Sequence, residues 1–125
     1  MQKNVITVEG FPKGGPYSHA AEAGGLIFVS GTGPVDPETN TIIMDDVRAA
    51  TRLILKTISR ILEAQGSSLQ KALKVNVYLR DMKDFQAMNE VYATIFTDHQ
   101  PARTTVAVRE LPFNFPIEIE LVAVK

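Results

Sequence analysis

Two charged side chains near the end of the chain are the first candidates for chemistry. Arg103 opens the segment "RTTVAV", and Glu118 lies at the start of "IEIELVAV". A guanidinium presents a planar pair of N–H donors that matches a carboxylate, and a carboxylate of suitable pKa can act as a general base. The pattern alone also allows simpler roles: Arg103 as a strand-end charge in solvent, and Glu118 as the ion-pair partner of Arg109. Glu120 is expected to be structural.

Length and composition predict an ordinary globular protein with a single domain spanning residues 1–125. The chain is 45% hydrophobic and 22% charged, and a domain of this size buries about two-thirds of its unfolded surface. Its 13 Lys and Arg nearly balance 14 Asp and Glu, giving a net charge of −1. No global field therefore attracts nucleic acid or a membrane surface.

Metal and thiol chemistry are not expected. The chain contains no cysteine, which excludes disulfides and cysteine nucleophiles. His19 and His99 lie in separate loops without a second ligand nearby, so we expect both to be spectators, with no metal and no cofactor. The first residues lack the apolar run of a signal peptide, and no segment approaches the roughly 20 apolar residues of a membrane span, which favours a cytoplasmic location.

Hydrophobic patterning predicts strands that alternate with two helices. The expected strands are Val5 to Val8, a fully buried "LIFVSG", a short one at 41–43, an alternating "ALKVNVYLRD" and the two terminal segments. Between the first two lies "EGFPKGGPYSHAAEAGG", whose glycines and prolines indicate a long loop and a candidate pocket wall.

Helix signals are clear at two places. The first helix should start with Asp45 or Asp46 as its N-cap, bury residues at helical spacing and stop before Gly66. The second should begin near Asp84 and bury a stripe that includes Phe85 and Tyr92. This order predicts an α+β fold with a mixed sheet and both helices on one face. The other face would need an oligomer to cover it, and we expect the charged sides of both terminal strands to line that interface.

Several motifs in the same order span nearly the whole chain: "GPYSHA", "FVSGT", "PVDPETN", "NVYLRDMKDFQAMNEVY", "PARTTVAV" and "IEIE". Together they resemble the reactive intermediate deaminases, the RidA or YjgF family. The resemblance implies a chorismate-mutase-like fold and a homotrimer, with helices outside, sheets forming a central barrel, and ligand pockets between subunits. It also implies cofactor-free hydrolysis of enamine and imine acids, such as 2-aminoacrylate and 2-aminocrotonate, to 2-keto acids and ammonia.

The resemblance also implies roles for individual residues. Arg103 would bind the substrate carboxylate, Glu118 would activate water, and Tyr17 would orient the substrate or the water. The implied substrate-binding positions are Ser30, Gly31, Asn89 and Thr105. The chain departs from the family pattern in a shorter "TDHQPAR" segment and in "LPFNFP", where Phe113 and Phe115 could reshape the pocket.

The short "LPFNFP" connection suggests that the last two strands run in opposite directions. Arg103 and Glu118 would then lie roughly 20 Å apart within one subunit, since a strand rises about 3.3 Å per residue. A shared site would therefore combine Arg103 of one subunit with Glu118, and with Tyr17 or Ser30, of its neighbour.

Three functions remain open from the sequence. The first is an imine and enamine hydrolase, and the second is a non-catalytic binding or regulatory module for 2-keto or related acids. Arg103 suits both, whereas Glu118 favours catalysis. RNA cleavage or a chaperone-like role ranks last, because the sequence offers no basic aromatic surface and no histidine pair.

Overall fold

The computed structural model describes residues 1–125 as a six-stranded sheet with two helices packed on one face. In chain order the elements are β1 (Asn4–Ile6), β2 (Ala20–Ala23), β3 (Leu26–Thr32), α1 (Val47–Glu63), β4 (Ala72–Leu79), α2 (Phe85–Ile95), β5 (Ala102–Ala107) and β6 (Ile117–Val124). The strands lie in the order β1-β2-β3-β6-β4-β5. All neighbours are antiparallel except β4 and β5, which confirms the predicted mixed sheet and α+β class.

Helix α1 forms where its sequence signals predicted. The Asp46 carboxylate caps it by accepting from the Ala49 N–H at 3.0 Å. Its apolar positions are fully buried against the sheet, as Ile54 and Ile58 show. The helix ends at Glu63, and Gly66 follows in the left-handed conformation at φ 78°, where a glycine carries no steric cost.

The core lies between the helices and the inner side of the sheet. Alternate residues of β4 and β6, such as Val75, Val77 and Ile119, are fully buried there, beneath Ile54 of α1 and Met88 of α2. A side-chain period of two along each strand sends the intervening residues to the opposite side. We call that side, which no helix covers, the outer face.

Strand β2 lies inside the segment that was expected to be irregular. Its sequence, "AAEA", has little intrinsic preference for a strand, so the prediction of a continuous loop was wrong. The segment is extended because β1 and β3 pair with it on both sides, from Ala20 opposite Val29 to Ala23 opposite Leu26. The short strand expected at 41–43 reduces to one bridge between Ile42 and Val35.

Strand β3 is buried on one side only, which corrects the expectation of a fully buried strand. Ile27 and Val29 lie under the helices at 0% and 4% exposure, while Phe28 between them is 49% exposed. Phe28 shares the outer face with other exposed apolar side chains, namely Val5, Val106 and Val124. Both faces of β3 are thus apolar, and the helices of the chain cover only one of them.

Candidate functional site

A cavity of about 370 Å³ opens between the loop of residues 11–19, the second half of α1 and the turn at residues 112–115. Four of the predicted site residues line it: Tyr17, Ser30, Gly31 and Glu118. Loop residues supply the first of these, the end of β3 supplies the next two, and the start of β6 supplies the carboxylate. The cavity therefore unites part of the predicted site within one subunit.

Backbone contacts fix the polar groups of this cavity. The Ser30 hydroxyl donates to the Ser18 carbonyl at 2.7 Å, and the Tyr17 hydroxyl accepts from the Gly14 N–H at 3.1 Å. At Gly31 an added Cβ would collide with the Glu118 carboxylate, so the missing side chain is what gives Glu118 room at the strand end. Ser30 keeps lone pairs and Tyr17 keeps its proton for a ligand.

The Glu118 carboxyl lies in an environment that favours its protonated form. Burial raises its pKa above the ordinary value, and the charge of Glu120, two residues along the same face, adds to the rise. Glu120 itself accepts hydrogen bonds from Tyr78 and from Asn76, the latter at 3.3 Å. The hydrogen bond to Glu120, with burial second, raises the pKa of Tyr78 to about 12, so Tyr78 remains a neutral donor. Glu118 is therefore a carboxyl whose surroundings favour uptake of a proton.

Arg103 lies in a second cluster, between β5 and α2. Its guanidinium carbon is 4.7 Å from the centroid of the Tyr92 ring and 5.8 Å from that of Phe85. None of the three ion pairs in the chain includes it. Asn89 lies on the same side of α2 as these rings, at spacings of four and three residues.

Three buried polar atoms have no hydrogen-bond partner anywhere in the chain, and all belong to residues of this second cluster or its immediate flank. They are Asn89 Oδ1, Tyr92 OH and Thr105 Oγ1. Thr105 lies two residues from Arg103 on the same side of β5, opposite Val77 of β4. Unpartnered buried polar groups are rare and cost about 1–3 kcal/mol each. Three such atoms and a cation with no ion-pair partner therefore lie together between β5 and α2.

The cavity that contains Glu118 and the cluster around Arg103 do not meet within one chain. The expectation that the charged sides of the two terminal strands line the same face was wrong. Arg103 pairs with Val75, whose side chain is buried beneath the helices, while Glu118 pairs with Tyr78 on the outer side. Residues opposite each other in a sheet share a face, and Val75 and Tyr78 are an odd number of positions apart. Strand β4 also separates β5 from β6. Tyr17, Ser30 and Gly31 thus lie with Glu118, and Asn89 and Thr105 lie with Arg103.

His19 has a structural part that the sequence did not predict. It is 6% exposed, accepts from the Val8 N–H through Nδ1 at 2.9 Å, and donates from Nε2 to the Pro12 carbonyl at 3.2 Å. Phe11 packs edge-on against its ring. His19 thereby ties down the loop that carries Tyr17. No pattern could have shown this, because its partners are backbone atoms distant in sequence.

No group of three His, Asp or Glu side chains is arranged to hold a metal ion. Neither helix combines the length and apolar character needed to cross a membrane.

Fold and cavity together define a small α+β domain with a carboxylate in the lining of a pocket at the ends of two strands. Residues 9–125 match the family model described as endoribonuclease L-PSP. The chain is 49% identical over 124 residues to a RutC family protein of Pyrococcus horikoshii, covering 98% of each. It is 39% identical over 124 residues to Reactive Intermediate Deaminase A of Arabidopsis thaliana, covering 98% of this chain and 66% of the relative.

Solved structures agree with the sequence matches. The YjgF gene product of E. coli superposes with a TM-score of 0.90 at 36% identity, over 98% of each chain. E. coli TdcF, solved with bound serine, gives the same TM-score, identity and coverage. The chain belongs to the L-PSP endoribonuclease family, whose members also carry the names RutC, YjgF and Rid, and this confirms the resemblance noted in the sequence.

Proposed function

We propose that this chain is a hydrolase that converts reactive 2-imino and enamine acids, such as 2-aminoacrylate and 2-aminocrotonate, into 2-keto acids and ammonia. We propose further that it acts as a homotrimer. Each site would combine Arg103, Asn89 and Thr105 of one subunit with Tyr17, Ser30, Gly31 and Glu118 of the next. No metal or organic cofactor takes part.

The observation that carries the proposal is the state of Arg103. A guanidinium without a carboxylate partner lies among three buried polar atoms that have no hydrogen-bond partner. The carboxylate of a small ligand would pair with the guanidinium fork and accept from the Tyr92 and Thr105 hydroxyls, and an N–H group of the same ligand would donate to Asn89 Oδ1. The adjacent Tyr92 ring holds the guanidinium plane in place through a cation–π contact of 4.7 Å.

Glu118 supports hydrolysis at this site. The enamine first takes a proton on its terminal carbon and becomes an iminium ion, whose C=N carbon is electrophilic. Glu118 then removes a proton from a water molecule as its oxygen bonds to that carbon. The resulting carbinolamine takes the proton from Glu118 on nitrogen, the C–N bond breaks, and ammonia leaves. The hydroxyl proton passes to solvent, which replaces the proton that the enamine took from solvent in the first step. The raised pKa of Glu118 suits both halves of this cycle, since the carboxyl must take and return one proton.

The name of one relative and the bound ligand of another fit this reaction. One is called Reactive Intermediate Deaminase A, and another was solved with bound serine, a small amino acid with a carboxylate next to a nitrogen-bearing carbon. A 2-imino acid has the same arrangement of carboxylate and nitrogen. These names support the substrate class that the Arg103 cluster suggests.

RNA cleavage, which the family description names, finds less support in the side chains of this chain. General acid–base cleavage needs two groups that exchange protons. His19 is not available for this role, because both of its ring nitrogens form hydrogen bonds with backbone atoms. The net charge of −1 provides no field for a polyanion.

A coupled assay tests the proposal. A threonine dehydratase generates the imine in situ, and the protein should accelerate the appearance of 2-ketobutyrate beyond the spontaneous rate. Glu118→Gln should remove the acceleration while the protein still binds 2-ketobutyrate. Binding of the keto acid by wild type without any acceleration would instead identify a non-catalytic binding module.

A further inference from the structure

Several of the residues that line the cavity together with Glu118 are apolar. They are Phe11, Val35, Ile42, Ile61 and Phe115, drawn from four different segments. The whole cavity has about 370 Å³, which lies within the range of sites that bind small organic molecules, roughly 300–1,000 Å³. An apolar chamber next to the proposed reaction centre is suited to the side chain of the substrate.

The turn that closes this chamber has an unusual backbone. Phe113 and Asn114 both adopt left-handed conformations, at φ 54° and 55°. Asparagine tolerates this region, but a bulky aromatic residue rarely enters it, and such strain persists where the surroundings enforce it. The strained backbone aims the Phe113 ring towards the loop that carries Tyr17.

Two glycines receive the aromatic rings of this turn. A Cβ at Gly14 would lie 2.9 Å from the Phe113 ring, and a Cβ at Gly33 would overlap the Phe115 ring. The two rings also pack on each other, with centroids 5.5 Å apart. Phe113 is 62% exposed on its other side. The rings therefore form a continuous aromatic wall between the chamber and solvent.

We propose that Phe113 and Phe115 are specificity-determining residues, and that this chain prefers 2-imino acids with bulky branched or aromatic side chains over those with a methyl or ethyl group. The inference rests on the proposed function, because it assigns the chamber to the side chain of the same substrate. An apolar wall discriminates by the extra carbon atoms it removes from water.

The test uses imines produced in situ by an L-amino-acid oxidase from alanine, 2-aminobutyrate, leucine and phenylalanine. We expect kcat/KM for the leucine- or phenylalanine-derived imine to exceed that for the alanine-derived imine by roughly tenfold or more. Equal values, or a preference for the small imine, would overturn the inference while leaving the deaminase proposal intact.

Phe113→Gly separates specificity from folding. Glycine accepts the left-handed backbone without strain, and this relief offsets part of the stability lost with the ring and with the greater freedom of the unfolded chain, so the variant should remain folded. The preference for bulky imines should fall at least several-fold, chiefly through KM. Met82→Gly, which removes an exposed apolar side chain outside the cavity, should leave the preference unchanged.

If no imine is turned over faster than spontaneously, the proposed function fails, and the inference is tested by binding alone. Calorimetry with 4-methyl-2-oxopentanoate, phenylpyruvate and pyruvate compares bulky and small 2-keto acids in the same cavity. Tighter binding of the bulky acids, lost in Phe113→Gly, would support the aromatic wall, and tighter or equal binding of pyruvate would refute it.

Discussion

Arg103 and Glu118 point to opposite faces of one sheet, with β4 between their strands. Arg103 lies opposite Val75 of β4, and Glu118 lies opposite Tyr78 of the same strand. Because Val75 and Tyr78 are three positions apart, their side chains are on opposite faces, and so are those of their partners. Strand spacing and rise put their Cα atoms about 14 Å apart, and the side chains diverge from there. One small substrate cannot touch both groups in a single subunit, so a site that uses both must use two subunits.

Mixed trimers should therefore recover activity from inactive parents. Arg103→Ala and Glu118→Ala are each expected to be inactive as pure proteins. Unfolding and refolding them together creates some interfaces in which both wild-type residues meet, and the coupled dehydratase assay should detect the partial recovery. Subunit exchange is verified by mass spectrometry. A mixture that exchanges subunits yet stays as inactive as its parents would refute the shared site.

The outer face should hold the oligomer together. Light scattering should give a mass near three times 13.7 kDa, because exposed apolar residues such as Phe28 need cover. Phe28→Lys, which puts a charge where the side chain is 49% exposed, should dissociate the assembly. Met82→Lys is the matched control at 44% exposure in the turn before α2, and it should remain trimeric. A wild-type protein that is monomeric at micromolar concentration would contradict the prediction.

Replacing Arg103 should remove nearly all turnover and leave the fold intact. A charge-assisted hydrogen bond contributes about 1.5–3 kcal/mol, so loss of a bidentate pair should lower kcat/KM by roughly 100-fold or more. Arg103→Lys should be nearly as damaging, because an ammonium cannot reproduce the planar fork. Arg48→Ala, which breaks an exposed 2.7 Å ion pair with Glu90, is the control and should keep full activity. Circular dichroism and light scattering check that each variant is folded and assembled.

Glu118→Gln should stabilise the protein at alkaline pH. Burial raises the pKa of Glu118 in the folded state above its unfolded-state value of about 4.3. The protonated carboxyl therefore contributes to the free energy of unfolding in full below that unfolded-state pKa, and this contribution is lost as pH rises through the folded-state pKa. A neutral glutamine avoids that loss. The melting temperature of the variant should exceed that of wild type at pH 8, and the gap should close towards pH 4. Glu38→Gln, at an exposed position, should follow wild type throughout; a gap that grows on acidification would contradict the assignment.

Chelation should not affect the reaction. No three of the acidic and histidine side chains converge on a metal position, and Glu118 can activate water unaided. The rate should be the same after dialysis against EDTA as before it. A fall in rate that Zn²⁺ or Mn²⁺ restores would show that the mechanism is incomplete.

Local sequence signals were sufficient for the helices. Asp46 caps α1 through a hydrogen bond within its own first turn, and Gly66 ends it through its own backbone freedom. The alternation of Val75 and Val77 with polar neighbours likewise predicted β4. These features depend on atoms close in sequence, so a pattern contains the information that decides them.

Partners distant in sequence decided the strands that the pattern missed. "AAEA" is extended because two other strands pair with it, and the burial of "LIFVSG" depends on which face the helices cover. Neither fact is present in the segments themselves, since strand pairing brings together residues separated by long loops.

The sequence by itself determined the family of this protein, through motifs that carry a guanidinium, a carboxylate and a loop tyrosine as candidate site groups. Only the tertiary structure decided where those groups lie. The insertion of β6 between β3 and β4 moved Arg103 and Glu118 onto non-adjacent strands, and the register of β4 turned them to opposite faces. A slip of β5 by one residue against β4 would have turned Arg103 to the face of Glu118, because the side-chain period along a strand is two.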